Sequence, residues 1–373
     1  MQHPFNRRTP FFEQLYAHIE EYGGMFNAHL HLDRALTMNS GKENTYDPSV
    51  HVSLHEKHQR IADIHAGPAY DADSLISRVN TTLDVMIACG TRRADTMVDT
   101  SNDRVGLSAL NILRDIKKNR ESEIELNIAA YTPFGFADHE PRRWELMLEG
   151  AELSDFLGFL PEADDHDDHP DHIGFKEHCR RGLELSKEQE KFIHVHADQR
   201  NEPSERGMEQ LIEVVKETGT LKLPNEEPSV WGVHVISPTT YEEDRFQELI
   251  AGMVEHNIGV ICCPTAAIGM RQLRPVTSPT DNSFPRVLDY LAAGVHVRLA
   301  SDNIADACSP STTADLVDEV IVLSAACRFY DPRILAKLAC GLAMNSKDRD
   351  VIRHHLSENQ KEIEKTISAL RQH

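Results

Sequence analysis

His29 and His31 are separated by a single residue in the run GMFNAHLHL. In an extended strand, residues two apart share a face, so both imidazoles point the same way at the strand's end, with Asn27 beside them. Two neutral imidazoles side by side make half of a divalent-metal site. The pair alone is a weak signal, because histidine is plentiful here, 21 among 373 residues. Other apolar runs end in matching groups. His194 and His196 close FIHVHAD, His234 closes VWGVHVIS, and Ser301, Asp302 and Asn303 follow VHVRLA. Groups so distant in the chain act together only if the fold carries their strand ends to one point.

The pattern between these runs supplies such a fold. Short β-prone runs begin near Gly24, Arg93, Glu123, Asp155, Phe192, Val230, Gly259 and Val295. Longer amphipathic runs such as Ser204–Thr218 and Phe246–His256 alternate with them, and Gly90, Gly219 and Gly294 stand where helices should stop. No Gly-rich turn follows the first strand, which argues against an open dinucleotide-binding sheet. Eight β-α units predict an α/β fold of the closed (β/α)8 TIM-barrel type, in which all strand C-termini meet at one mouth. A helix precedes it, with Thr9 as cap, Pro10 in the first turn and Gly23-Gly24 as the stop. A charged helix capped by Asn345 follows, with Ile352, Leu356, Ile363, Ile367 and Leu370 as its apolar stripe. The expected organisation is one domain: residues 1–24 as N-terminal helix, 25–345 as barrel and 346–373 as C-terminal helix. The last helix packs on the barrel or joins a second copy in a homo-oligomer.

Composition narrows the partners. A formal net charge of −21 repels phosphate backbones and anionic lipid. Nucleic acid and membrane are therefore excluded as expected partners, and a small-molecule substrate is expected. No run approaches the ~20 apolar residues of a membrane span, and the opening residues carry Glu13 instead of a signal peptide's apolar core. The expected location is cytoplasmic. Seven scattered cysteines with no C-x-x-C pair read as buried free thiols. The stretch EADDHDDHPDH, 162–172, reads as a solvated loop or a second cation site and is given no catalytic role.

The motifs NAHLHLD, HVHADQ, WGVHVIS and LASDN resemble the metal-binding motifs of the amidohydrolase superfamily, most closely its cytosine deaminase-like branch. The likeness extends through RADTMVDTS, GFLPEADD and CPTAAIGMRQLRP to SDNIADACSP, about residues 25–345. It implies that His29, His31, His196 and Asp302 bind one divalent metal ion, zinc by default with iron as the alternative. Strand four carries no lysine to bridge a second metal. Asp302 would move protons and His234 would orient or polarise the group under attack, both as catalytic residues. Gln199, His234 and Asn303 would contact substrate, and His194, two residues before a ligand, would support the metal ligands from behind.

Two departures from the branch matter. Its deaminases carry glutamate three residues after the fifth-strand ligand, where this chain has Gln199; an amide cannot exchange a proton near neutral pH. Glu202 is the nearest substitute in sequence. The first metal motif also comes early, so a barrel with added helices and little or no terminal β-sandwich is expected. The leading expectation is hydrolysis of a C–N bond in a nitrogen heterocycle, cyclic amide or amidine. The alternatives are an ammonia-releasing aminohydrolase and a binding protein that has lost catalysis. Thr132, Phe134, Phe136, Trp144, Pro264 and Thr265 are placed near the mouth by position alone.

Overall fold

Eight parallel strands follow one another around a single sheet in chain order: β1 Met25–Leu30, β2 Thr91–Asp99, β3 Glu125–Tyr131, β4 Phe156–Phe159, β5 Ile193–Ala197, β6 Val230–His234, β7 Ile258–Cys262 and β8 Val297–Leu299. The computed structural model describes residues 7–38, 56, 60–269 and 284–370. Within them the chain is a (β/α)8 barrel with added terminal helices, and the eight-stranded sheet is the only one. The end of the CPTAAIGMRQLRP motif, from 270 onward, lies outside the described residues. No helix among the described residues is long and apolar enough to cross a membrane.

The sheet closes where β1 meets the segment after β8. Leu30 pairs with Asp302 in a parallel bridge. Asp302 N–H donates to His29 O at 3.0 Å, and His31 N–H donates to Asp302 O at 3.1 Å. The seam is thus built from the residues expected to hold metal. Beside it, Asn27 Nδ2 donates to Ser301 Oγ at 2.8 Å and Asn27 Oδ1 accepts Ser301 N–H at 3.1 Å. This corrects the simple alternation. The register of β1 shifts between Asn27 and Leu30, so Asn27 clasps the seam while Phe26 and Ala28 join an inner cluster with Trp231, Val233 and Ile261.

Helix boundaries follow local chemistry. Pro10 opens the helix Pro10–Glu21 after Thr9, which occupies the cap position without a side-chain bond. Ala72–Cys89 stops at Gly90, whose φ of +99° suits a residue without Cβ. The helix expected from Ser204 starts later, at Gly207, because the buried Asp198 carboxylate accepts the Gly207 and Met208 N–H groups. At the last helix, Ser346–Leu370, Asn345 and Asp348 accept each other's backbone N–H in a reciprocal cap. Only the first half of its apolar stripe packs: Ile352 is buried, whereas Ile363 and Ile367 are exposed. All seven cysteines are free thiols.

Candidate metal centre

The C-terminal ends of β1 and β5 and the turn after β8 deliver four side chains to one place. Ligand atoms of His29, His31, His196 and Asp302 lie within 4.8 Å of one another, and all four residues are buried. Asp302 Oδ1 is 3.8 Å from His29 Nε2 and 3.4 Å from His31 Nε2. The donor set suits a cation because two of the rings, His196 and His29, engage one nitrogen and leave the other free. His196 Nδ1 bonds Phe159 O at 3.0 Å, which leaves Nε2 with its lone pair. His29 Nδ1 lies 3.2 Å from His194 Nδ1, and His29 Nε2 is buried without a hydrogen-bond partner among the described residues. Such an orphaned atom normally costs stability unless something binds it. Burial, reinforced by the neighbouring imidazoles, holds His29 well below the usual histidine range. Burial does the same for His31, and for His196 to about 4. The three rings are neutral, as ligands must be.

Asp302 sits in a left-handed backbone conformation, φ +60°, as does His234 at +74°. Such strain in non-glycine residues gathers where side-chain aim matters more than backbone comfort. Burial pushes the Asp302 carboxyl up to about 7, helped by Asp306. Its two oxygens face different neighbours. Oδ1 looks toward His29 and His31; Oδ2 accepts Asn303 Nδ2–H at 2.9 Å and lies 4.0 Å from His234 Nε2. The His234 ring stands 5.5 Å from that of His196. Tyr131, which the sequence did not single out, packs its ring 5.2 Å from His31 and 5.3 Å from His196.

Gln199 is buried and bound to an unexpected partner. Its Nε2 donates to Glu162 Oε2 at 2.7 Å, and its N–H to Oε1 at 3.3 Å. Glu162 lies in the turn after β4, at the start of the acidic stretch read as a solvated loop. The structure revises that reading. Ala163 and Asp164 are buried, and Asp164 accepts hydrogen bonds from Phe136 N–H and meets the rings of His172 and His178, so this end of the loop is packed. The signal available in the sequence was position: Glu162 follows strand four at the mouth. Glu202, the substitute suggested by sequence, instead has Ser204 Oγ on its carboxylate.

The other positional candidates divide. Phe134 and Thr132 line a cavity of about 220 Å³ with Ser101 and Asp103. Phe136 is buried, and Trp144 packs edge-on against it with ring centroids 4.9 Å apart, so the two pack on each other. Pro264 is buried at the start of the short helix after β7. Thr265 gives both its N–H and its hydroxyl to the buried Glu319.

No protein-family model matches the chain. An uncharacterized protein of Haemophilus influenzae is 30% identical over 285 residues, covering 72% of this chain and 93% of its own length. Among solved structures, 5-methylcytosine deaminase from Klebsiella pneumoniae liganded with 5-fluorocytosine superposes with a TM-score of 0.70 at 21% identity, covering 89% of this chain and 82% of that one. N-isopropylammelide isopropylaminohydrolase from Burkholderia multivorans gives 0.63 at 17%, with the same shares covered. Guanine deaminase from C. acetobutylicum gives 0.55 at 14%, covering 86% and 72%. The chain belongs to one family with the Haemophilus influenzae protein, and its fold is that of the amidohydrolase superfamily.

Proposed function

We propose that the chain is a metal-dependent hydrolase that uses activated water to cleave a C–N bond of a small nitrogen heterocycle, cyclic amide or amidine. The observation that supports this reading best is the convergence of His29, His31, His196 and Asp302 in one buried cluster. A divalent cation held by those four, zinc by preference and iron as the alternative, would supply the Lewis acidity that makes water nucleophilic near neutral pH. Asp302, whose Oδ1 faces the His29 and His31 rings and whose Oδ2 faces His234, is suited to take a proton from water and pass it to the departing nitrogen. Asn303 fixes its Oδ2 for that work. His234, at the end of β6 facing that oxygen, is placed to hydrogen-bond the substrate oxygen as it gains charge. His194 holds the His29 ring in one orientation through their Nδ1 contact.

One observation favours a second reading, an aminohydrolase that releases ammonia. The Glu162 carboxyl, bonded to Gln199, brings to this edge of the mouth an acid that Gln199 itself lacks. A single experiment addresses both. Metal analysis of the purified protein should find about one divalent ion per chain, and a panel of cyclic amides and amino-heterocycles should be screened for turnover. Ring opening of amides is expected; ammonia release alone would select the second reading. Protein without a divalent ion, or inert toward the whole panel, would overturn the proposal.

A further inference from the structure

Away from the metal cluster, one buried histidine is held between two carboxylates. His65 stands on the short helix Ile61–Ala66 and is 1% exposed. Its Nε2 lies 2.9 Å from Asp99 Oδ2, at the end of β2, and its Nδ1 lies 2.7 Å from Asp103 Oδ2. Burial alone would raise both carboxyls. Arg34 and His65 outweigh it at Asp99, and His65 with the Val105 and Ser101 donors outweighs it at Asp103, so both titrate below the usual carboxylate range. An ionised carboxylate only accepts, so each ring nitrogen must donate and His65 is an imidazolium. The two carboxylates in turn raise His65 above the usual histidine range, against the burial that opposes them. The remaining polar neighbours are Ser101 Oγ, 3.3 Å from Nδ1, and Tyr70, whose hydroxyl lies 2.8 Å from Asp99 Oδ2 and 2.9 Å from Asp33 Oδ2. Arg34 pairs with Asp99, and Arg104 donates to the His65 carbonyl.

The segment that carries His65 has few apolar anchors. Across residues 60–71 only Ile61, His65 and Tyr70 are buried, and the other ties are polar, with Arg78 on Ala69 O and Arg104 on Gly67 O. Ala62 of this segment lines the cavity of about 220 Å³ together with Ser101, Asp103 and Phe134. We propose that residues 60–71 are a pH-sensitive latch on the wall of that cavity: protonated His65 ties the segment to both carboxylates, and loss of the proton frees it from Asp103. A neutral ring keeps one N–H. The Asp99 side chain is 0% exposed and has no water to turn to, whereas that of Asp103 is 33% exposed. The remaining N–H therefore stays on Asp99, and Asp103 faces a bare lone pair and swings to solvent. The sign follows from the raised folded value. The latch contributes fully below the ordinary histidine value of 6.5 and is lost as pH rises through the higher value of the folded chain. None of this depends on the proposed reaction.

Hydrogen–deuterium exchange of the full-length protein between pH 6 and pH 9 tests the latch, with rates expressed as protection factors so that the intrinsic pH dependence of exchange drops out. Protection of residues 60–71 should fall roughly 10-fold or more over that range, the size of losing one hydrogen bond to a charged group. Strands β5, β6 and β7 should keep theirs. Asp103→Asn separates charge from shape. Asp103 Oδ1 accepts Ser101 Oγ–H and Val105 N–H, both at 2.8 Å, so an amide that keeps those bonds turns its NH2 toward His65 Nδ1. A neutral His65 then accepts on that side and donates to Asp99, and the segment should stay protected up to pH 9. His65→Gln cannot titrate and should give lower protection at pH 6 that no longer varies with pH. The proposal is overturned if wild-type protection of residues 60–71 is level from pH 6 to pH 9, if the three strands lose protection in step with it, or if Asp103→Asn shows the wild-type fall.

Discussion

The two ends of the barrel interior bury polar groups in different company. At the strand C-termini, His29, His31, His196 and Asp302 turn ligand atoms toward a common point and leave His29 Nε2 without a hydrogen bond among the described residues. At the strand N-termini, cations lie on aromatic faces. The Arg298 guanidinium sits 3.9 Å over Trp231, and Arg93 lies 4.0 Å over Phe26. Arg298 also reaches Glu227 at 3.1 Å, and Asp95 accepts Asn127 Nδ2–H at 2.8 Å. The lower layer lays its cations on aromatic rings, which stabilises a plug, although Asp95 Oδ2 and Arg298 Nε make no hydrogen bond among the described residues. The upper layer withholds its lone pairs, which prepares it for something that arrives later. His194 joins the layers, with one nitrogen on His29 and its ring 4.7 Å from that of Phe156.

If that division of labour is right, substitutions at the two ends should fail differently. Asp302→Asn keeps the shape but loses the carboxylate, so turnover on an identified substrate should drop by roughly 10³-fold or more. The fold should persist, as read by circular dichroism and melting temperature. Trp231→Ala empties the lower layer and should cost about 3–5 kcal/mol of stability. Its signature is an early denaturant midpoint, with metal content per folded molecule unchanged; loss of metal at full stability would blur the comparison.

The smallest effect concerns Asp95. Burial pushes this carboxyl up to about 6, while the unfolded chain titrates near the ordinary value of 3.8. Between those two values the folded state binds more protons than the unfolded state, so this group's contribution to stability falls as pH rises through that window. Asp95→Asn should flatten that decline. Above pH 6 it should raise stability by on the order of 1–3 kcal/mol relative to wild type, one pKa unit being about 1.4 kcal/mol. Denaturant titrations at pH 4, 5, 6 and 7 would measure it. A parallel offset at every pH would assign Asp95 a packing role alone.

The barrel was legible in the sequence because each strand is a short apolar run ending at the mouth, and His29, His196 and His234 fall at or near those ends. Two things were not. Asn27 breaks the alternation because its position is set by pairing across the seam with Ser301, a contact spanning 274 residues. Glu162 was assigned to a solvated loop because its company is acidic and polar. Its place is decided by a contact with Gln199, 37 residues away, which no local pattern encodes. Periodicity reports on which face a residue shares with its neighbours; it is silent on tertiary partners.

The closing bonds of the sheet, Asp302 to His29 and His31 to Asp302, run through the backbone of the residues whose side chains face the cluster. An ion gripped by those side chains would rivet the first turn of the cylinder to its last. Parting of the two edges would scatter three of the four donors in one movement. Occupancy and circumferential integrity are thereby tied: emptying the centre would let the rim breathe there first, and slower solvent exchange of the His31 and Asp302 amides would report its refilling.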